Sequence, residues 1–172
     1  RVKIVESIAS AISSKKIFDT IDYRNRNEDY IKQYMHQPLI NELEELYENL
    51  ELSKSMDKDI VKQKAKDCLL WEGDVNTTVN NFTFSGTQHR PDFVVKFDKL
   101  SVAVEVKKGE TGSSLREGIG QSLVYSSSFD FVVYLYVDIS KDKKIRDSMN
   151  GVKEQELIND LWDSHNALFQ VV

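Results

Sequence analysis

The sequence predicts an α/β (α+β) fold: a mixed central sheet flanked by helices, with further helices at the N-terminal end. Two observations carry this. Residues 1–70 contain no glycine and one proline, Pro38, whereas residues 71–172 hold all seven glycines and most of the alternating β-branched and aromatic runs. The apolar run FDFVVYLYVDIS at 129–140 reads as a central strand buried on both faces, with helical segments before and after it.

The elements follow in order. IVESIASAISSKKIF is moderately amphipathic and predicts the first helix, followed by the polar stretch DYRNRNEDY. QPLINELEELYENLEL predicts the best helix in the chain. Pro38 suits its first turn, and Leu39, Leu43, Leu46 and Leu50 fall on one face. Residues 57–70 predict another helix, ending near Leu69-Leu70-Trp71. The period then changes. VNTTVNNFTF reads as a strand ending at Ser85-Gly86, RPDFVVKFD as a second and LSVAVEVKKG as a third, with Asp98-Lys99 as a short hairpin turn. Residues 113–127 predict a helix despite Gly118 and Gly120, each costing about 1 kcal/mol against Ala. KEQELINDLWDSHN predicts a final helix and ALFQVV a last edge strand. Residues 1–37 are expected as an N-terminal helical segment and residues 38–172 as the main domain. The two are expected to pack as one compact unit or as part of a larger protein.

Composition excludes several classes. The chain has 172 residues, 23 Lys plus Arg against 28 Asp plus Glu, and a formal net charge of −5. That balance argues against coating nucleic acid through bulk positive charge. Cys68 is the single cysteine, so neither an internal disulfide nor a Cys-rich zinc site is available. No apolar run approaches the ~20 residues of a membrane-spanning helix. No charged-then-apolar leader is visible, so an intracellular, cytoplasmic location is expected.

The chemistry concentrates on two adjacent strands. Asp92 follows Pro91 at the start of one, and Glu105 and Lys107 sit two apart on the next. Period-2 geometry puts Glu105 and Lys107 on one face, and a hairpin can bring Asp92 alongside Glu105. Two hard carboxylate oxygens at one point suit Mg²⁺ or Mn²⁺. A nearby ammonium can orient an attacking water and stabilise developing negative charge. This is equipment for metal-assisted phosphodiester hydrolysis. A V-E-V-K strand is equally the pattern of a half-exposed surface with cross-strand ion pairs worth about 0.2–1 kcal/mol.

Pro91-Asp92, Glu105-Val106-Lys107 and Gln121-Ser122-Leu123-Val124-Tyr125, in that order, resemble the PD-(D/E)XK nuclease superfamily, the restriction-endonuclease-like fold. The last segment is similar to the Gln-x-x-x-Tyr motif of the RecB-like branch. The resemblance covers roughly residues 38–140. It implies a Mg²⁺- or Mn²⁺-dependent nuclease acting on nucleic acid, DNA ahead of RNA, in defence or repair, alone, as a homodimer or beside additional domains. Asp92 and Glu105 would hold the metal, Lys107 would act on the nucleophile, and Gln121 and Tyr125, beside the site, would join it, Gln121 in catalysis and Tyr125 in binding the substrate. The resemblance also asks for an acid on an early helix. Glu42, flanking the apolar stripe, is preferred as an assisting ligand and Glu44 is second, with His36 an alternative. Glu45 and Glu48 point away.

Arg90, Lys108 and Arg116 are candidate phosphate contacts. Residues 86–119 carry a net +1 and the remainder −6, so the segment holding the site is its least acidic part. Two other functions compete with cleavage. One is a nuclease-fold module that binds nucleic acid or a protein without catalysis. The other is an interaction domain that self-associates through the leucine stripe of residues 39–50.

Overall fold

The computed structural model describes residues 1–50, 56–74 and 82–172. Three helices come first: α1 (Val2–Ile12), α2 (Lys15–Thr20) and α3 (Glu28–Glu48). Helix α3 is longer than the sequence predicts and runs through Pro38. Its start is fixed by Asn27, whose side chain accepts the Tyr30 N–H at 3.0 Å, and by Glu28 and Asp29 in the first turn. Its course is fixed by Ile31, Met35, Leu39 and Leu43, four fully buried residues spaced one turn apart. Pro38 removes the N–H that would bond the Tyr34 carbonyl, and Tyr34 is on an exposed face where water can replace it. The division expected between residues 37 and 38 therefore falls inside one helix. The leucine face expected as a self-association surface is mostly core, with Leu39 and Leu43 fully buried and only Leu50 well exposed.

Helix α4 (Lys58–Cys68) runs into a short strand, β1 (Leu69–Trp71), where the sequence suggested helix. Pairing decides this: Leu69, Leu70 and Trp71 register against Val95, Val94 and Phe93. Next come β2 (Phe82–Phe84) and β3 (Thr87–His89), a small hairpin turning at Ser85 and Gly86, both at positive φ. The rest of the strand expected over 75–84 lies outside the described residues. Pro91 separates β3 from β4 (Phe93–Phe97), which pairs antiparallel with β5 (Leu100–Gly109) across the Asp98-Lys99 turn. Asp98 takes φ 54° there, a conformation Asp tolerates. Helix α5 (Gly112–Ser126) crosses to β6 (Phe131–Asp138), parallel to β5. A 3-10 turn, the short helix α6 (Lys144–Ser148) and α7 (Val152–His165) lead to β7 (Ala167–Val171), parallel to β6.

The five-stranded sheet has the order β1-β4-β5-β6-β7, antiparallel on one side and parallel on the other. Alternation assigns its two faces. Val102, Val104 and Val106 of β5 join Val5, Ile8, Ile31, Met35 and Leu43 under α1 and α3. Ala103 of β5 joins Tyr134, Tyr136, Leu115 and Tyr125 under α5. This is the mixed sheet flanked by helices that the sequence predicts.

Candidate active site at the β4–β5 hairpin

Phe93 stands opposite Val104, so Asp92, one step further out, stands opposite Glu105. Both residues are buried, at 6% and 3% exposure. Asp92 Oδ2 accepts the Val106 N–H at 2.7 Å, and the Asp92 carbonyl accepts the Glu72 N–H at 3.1 Å. Lys107, on the same face as Glu105, brings its Nζ to 3.5 Å from Glu105 Oε1. Glu105 Oε2 is buried and has no hydrogen-bond partner among the described residues.

The electrostatics follow from this packing. Burial pushes the Glu105 carboxyl up, and the neighbouring Asp92 charge pushes further, to about 8, against the pull of Lys107 and Tyr125. Burial alone would lower Lys107, but Glu105, Glu28 and Asp92 override it and hold the ammonium above the usual lysine value. Tyr125, reaching in from α5, is pushed up by burial and by Glu105, so it stays a neutral phenol. Its hydroxyl donates to the Arg90 carbonyl at 2.9 Å, fastening the segment before Asp92 to α5. Gln121, one turn earlier, keeps its buried Oε1 without a partner among the described residues.

Three residues from the first turns of α3 complete the cluster, and the sequence reading misses all three. Lys32 Nζ lies 2.6 Å from Asp92 Oδ1 and 3.2 Å from Asp29 Oδ1. Burial works against its charge, but Asp92 and then Asp29 win and hold the ammonium well above the usual lysine range. Glu28 Oε2 accepts the Lys108 N–H at 2.6 Å, tying the start of α3 to the far end of β5. The signal was present in Asn27-Glu28-Asp29, a helix cap with an acidic first turn, and in the four-residue spacing of Ile31, Met35 and Leu39.

Other expected residues lie elsewhere. Glu42 is ten residues beyond Lys32 on α3, about 15 Å along the axis. It lines a separate cleft with Ser10, Lys16, Tyr34 and Glu45. Moving the helix start from Pro38 back to Glu28 is what displaces Glu42, and Glu44 with it, from the site end of α3. The His36 ring packs on Trp71, with centroids 4.9 Å apart. Lys108 Nζ donates to the Arg24 and Arg26 carbonyls, so its charge holds the loop before α3. Arg90 is exposed at the rim, 3.3 Å from Glu72, and Arg116 is exposed on α5.

Among the described residues no group of three or more His, Cys, Asp or Glu side chains is placed to hold a metal ion. Two carboxylates fit a different mode. Mg²⁺ keeps most of its waters and is commonly held by one or two carboxylates together with substrate phosphate. Asp92 and Glu105 supply hard oxygens of that kind, and Glu105 Oε2 is an orphaned buried acceptor that a cation would satisfy.

No protein-family model matches the chain, and no curated protein matches it. Among solved structures, a restriction endonuclease PspGI–substrate DNA complex superposes with a TM-score of 0.30 at 13% identity, over 81% of this chain and 68% of that one. The functional reading therefore stands on the side chains at the hairpin. No helix among the described residues is long and apolar enough to cross a membrane.

Proposed function

We infer that the protein is a metal-dependent nuclease that hydrolyses phosphodiester bonds, with DNA ahead of RNA as substrate. One observation carries the reading: Asp92 and Glu105 face each other across the hairpin with Lys107 beside them, leaving a buried carboxylate oxygen without a hydrogen-bond partner among the described residues. Asp92 and Glu105 would hold Mg²⁺ or Mn²⁺, which supplies Lewis-acid charge and a water of lowered pKa. Lys107 is kept protonated by three surrounding carboxylates, so it serves as a donor. It orients the attacking water and stabilises negative charge building on the phosphate. Tyr125 holds the strand entry through the Arg90 carbonyl, and Gln121 offers a spare acceptor on the same helix. Exposed Arg90 and Arg116 are the phosphate contacts on this reading, and Lys108 is scaffold.

The ion pair of Lys32 with Asp92 favours a second reading, a nuclease-fold module that binds without cleaving, because a cation already neutralises one carboxylate. A cleavage panel over single- and double-stranded DNA and RNA, with Mg²⁺, Mn²⁺ or EDTA, separates the two. The wild type is expected to cut only with metal. Asp92→Asn and Lys107→Met are expected to lose about 100-fold or more. Undiminished cutting by both variants would overturn the assignment, and no cutting by the wild type on any substrate would favour the binding module.

A further inference from the structure

We propose that Lys32 is a built-in counter-ion that holds the metal position on Asp92 and must swing out before a divalent cation can bind, so that it sets the metal affinity of the site. The proposal rests on the carboxylate-site reading above and adds the residue that regulates it.

Three observations point the same way. First, Lys32 Nζ is within 2.6 Å of Asp92 Oδ1, with the two side chains only 11% and 8% exposed. Asp92 Oδ2 already accepts the Val106 N–H, so Oδ1, where the ammonium sits, is the oxygen left to a cation. Two positive charges cannot share that oxygen in a dry setting. Second, Lys32 has somewhere to go. Asp29, one turn back on α3 and 76% exposed, already lies 3.2 Å from the same nitrogen on its solvent side. Lys32 and Asp29 line a cleft of about 400 Å³ with Gln33, Trp71, Glu72 and Gly73, so a flexible four-carbon stem can rotate into open space between two carboxylates. Third, the other half of the site is prepared for a cation that Lys32 does not satisfy. Glu105 Oε2 remains buried and without a hydrogen-bond partner among the described residues while Lys32 is spent on Asp92.

The arrangement is a two-position equilibrium. With Lys32 inward, Asp92 is neutralised and the metal site is closed. With Lys32 outward on Asp29, the Asp92 and Glu105 carboxylates are both available to a cation. The apparent metal affinity is the intrinsic one reduced by the fraction of molecules with Lys32 outward. Removing the ammonium removes that reduction.

The test titrates Mn²⁺ alone into the full chain by calorimetry, for wild type, Lys32→Met and Lys32→Met with Asp92→Asn, each checked for folding by circular dichroism. Lys32→Met is expected to bind at least about tenfold more tightly than wild type, and the added Asp92→Asn to abolish that gain. Equal or weaker binding by a folded Lys32→Met, in a site that still needs Asp92, would overturn the counter-ion role and leave the carboxylate site standing. Binding by neither wild type nor Lys32→Met, or binding indifferent to Asp92→Asn, would overturn the carboxylate site itself. A wild-type measurement decides the matter if Lys32→Met does not fold. The Lys32 ammonium should give a slowly exchanging ¹⁵N signal that disappears as Mg²⁺ is added. Its persistence at saturating Mg²⁺ would overturn the proposal.

Discussion

Lys32 and Asp92 lie 60 residues apart in the chain and 2.6 Å apart in space. Removing one partner of a buried ion pair costs about 3–5 kcal/mol, because the other charge is left dry and unneutralised. Asp92→Ala would leave the Val106 N–H unsatisfied and Lys32 with only the exposed Asp29 as counter-charge. It is expected to lose about 3 kcal/mol or more of unfolding free energy, read by urea denaturation. Asp92→Asn keeps an acceptor in place and should lose clearly less. An alanine scan of activity at this position would confuse chemistry with folding.

Glu105→Gln separates stability from function in the opposite direction. The carboxyl is buried, faces Asp92, and has one oxygen without a hydrogen-bond partner among the described residues. Burial and the Asp92 charge hold this carboxyl protonated far above its ordinary range, and the neutral amide removes the cost of that proton uptake on folding. In EDTA the variant is expected to melt about 2–4 °C above wild type, equivalent to about 1 kcal/mol for a chain of this size. Its metal-dependent cleavage should be lost. A calorimetric melt that falls instead would refute the strained-carboxylate account.

Two glycines of α5 should respond to alanine with opposite signs. A Cβ at Gly118 would lie 2.1 Å from the Tyr134 hydroxyl, and that ring is buried with its hydroxyl bonded to the Leu115 carbonyl. A Cβ at Gly120 meets nothing within 4 Å. Gly120→Ala is expected to gain roughly 0.4–1 kcal/mol through helix propensity and reduced unfolded-state freedom. Gly118→Ala should lose stability despite the same propensity gain, typically by about 1–3 kcal/mol for overpacking. Parallel chemical denaturation of the two variants checks both.

Asp138 should shape the acid limb of stability. It is fully buried at the end of β6 and accepts the Ser140 and Arg146 N–H groups at 2.7 and 2.8 Å. Burial raises its pKa, but the Ser140 and Arg146 hydrogen bonds and the Lys143 charge prevail and hold it below the usual 3.8. The folded state then binds fewer protons than the unfolded state in that window. Stability is full above about pH 4 and falls as pH drops through the folded value. Asp138→Asn should flatten this loss in denaturation curves collected from pH 5 to pH 2.5.

The strand half of the site was legible because alternation is local. Glu105 and Lys107 had to share a face, and the two-residue turn at Asp98-Lys99 fixed which residue Asp92 would meet. The helical half was not, for two physical reasons. Pro38 carries a strong local preference for a helix start, and the burial of Ile31, Met35, Leu39 and Leu43 overrides it. That extension is what places Lys32 and Glu28 at the sheet end and takes Glu42 away. Leu69-Leu70-Trp71 has no local reason to leave a helix; it does so because β4 offers a partner edge.

The bond from Lys108 N–H to Glu28 spans 80 residues of chain, and the Tyr125 bond to Arg90 spans 35. Loop-closure entropy must be met before contacts of such separation reward it, so they are expected to form late. During synthesis α3 emerges long before the strand it must dock upon, with Lys32 and Glu28 solvated until then. The candidate site is therefore expected to assemble in the last stage of folding, and recovery of the proposed metal binding after dilution from denaturant should lag the recovery of helical signal.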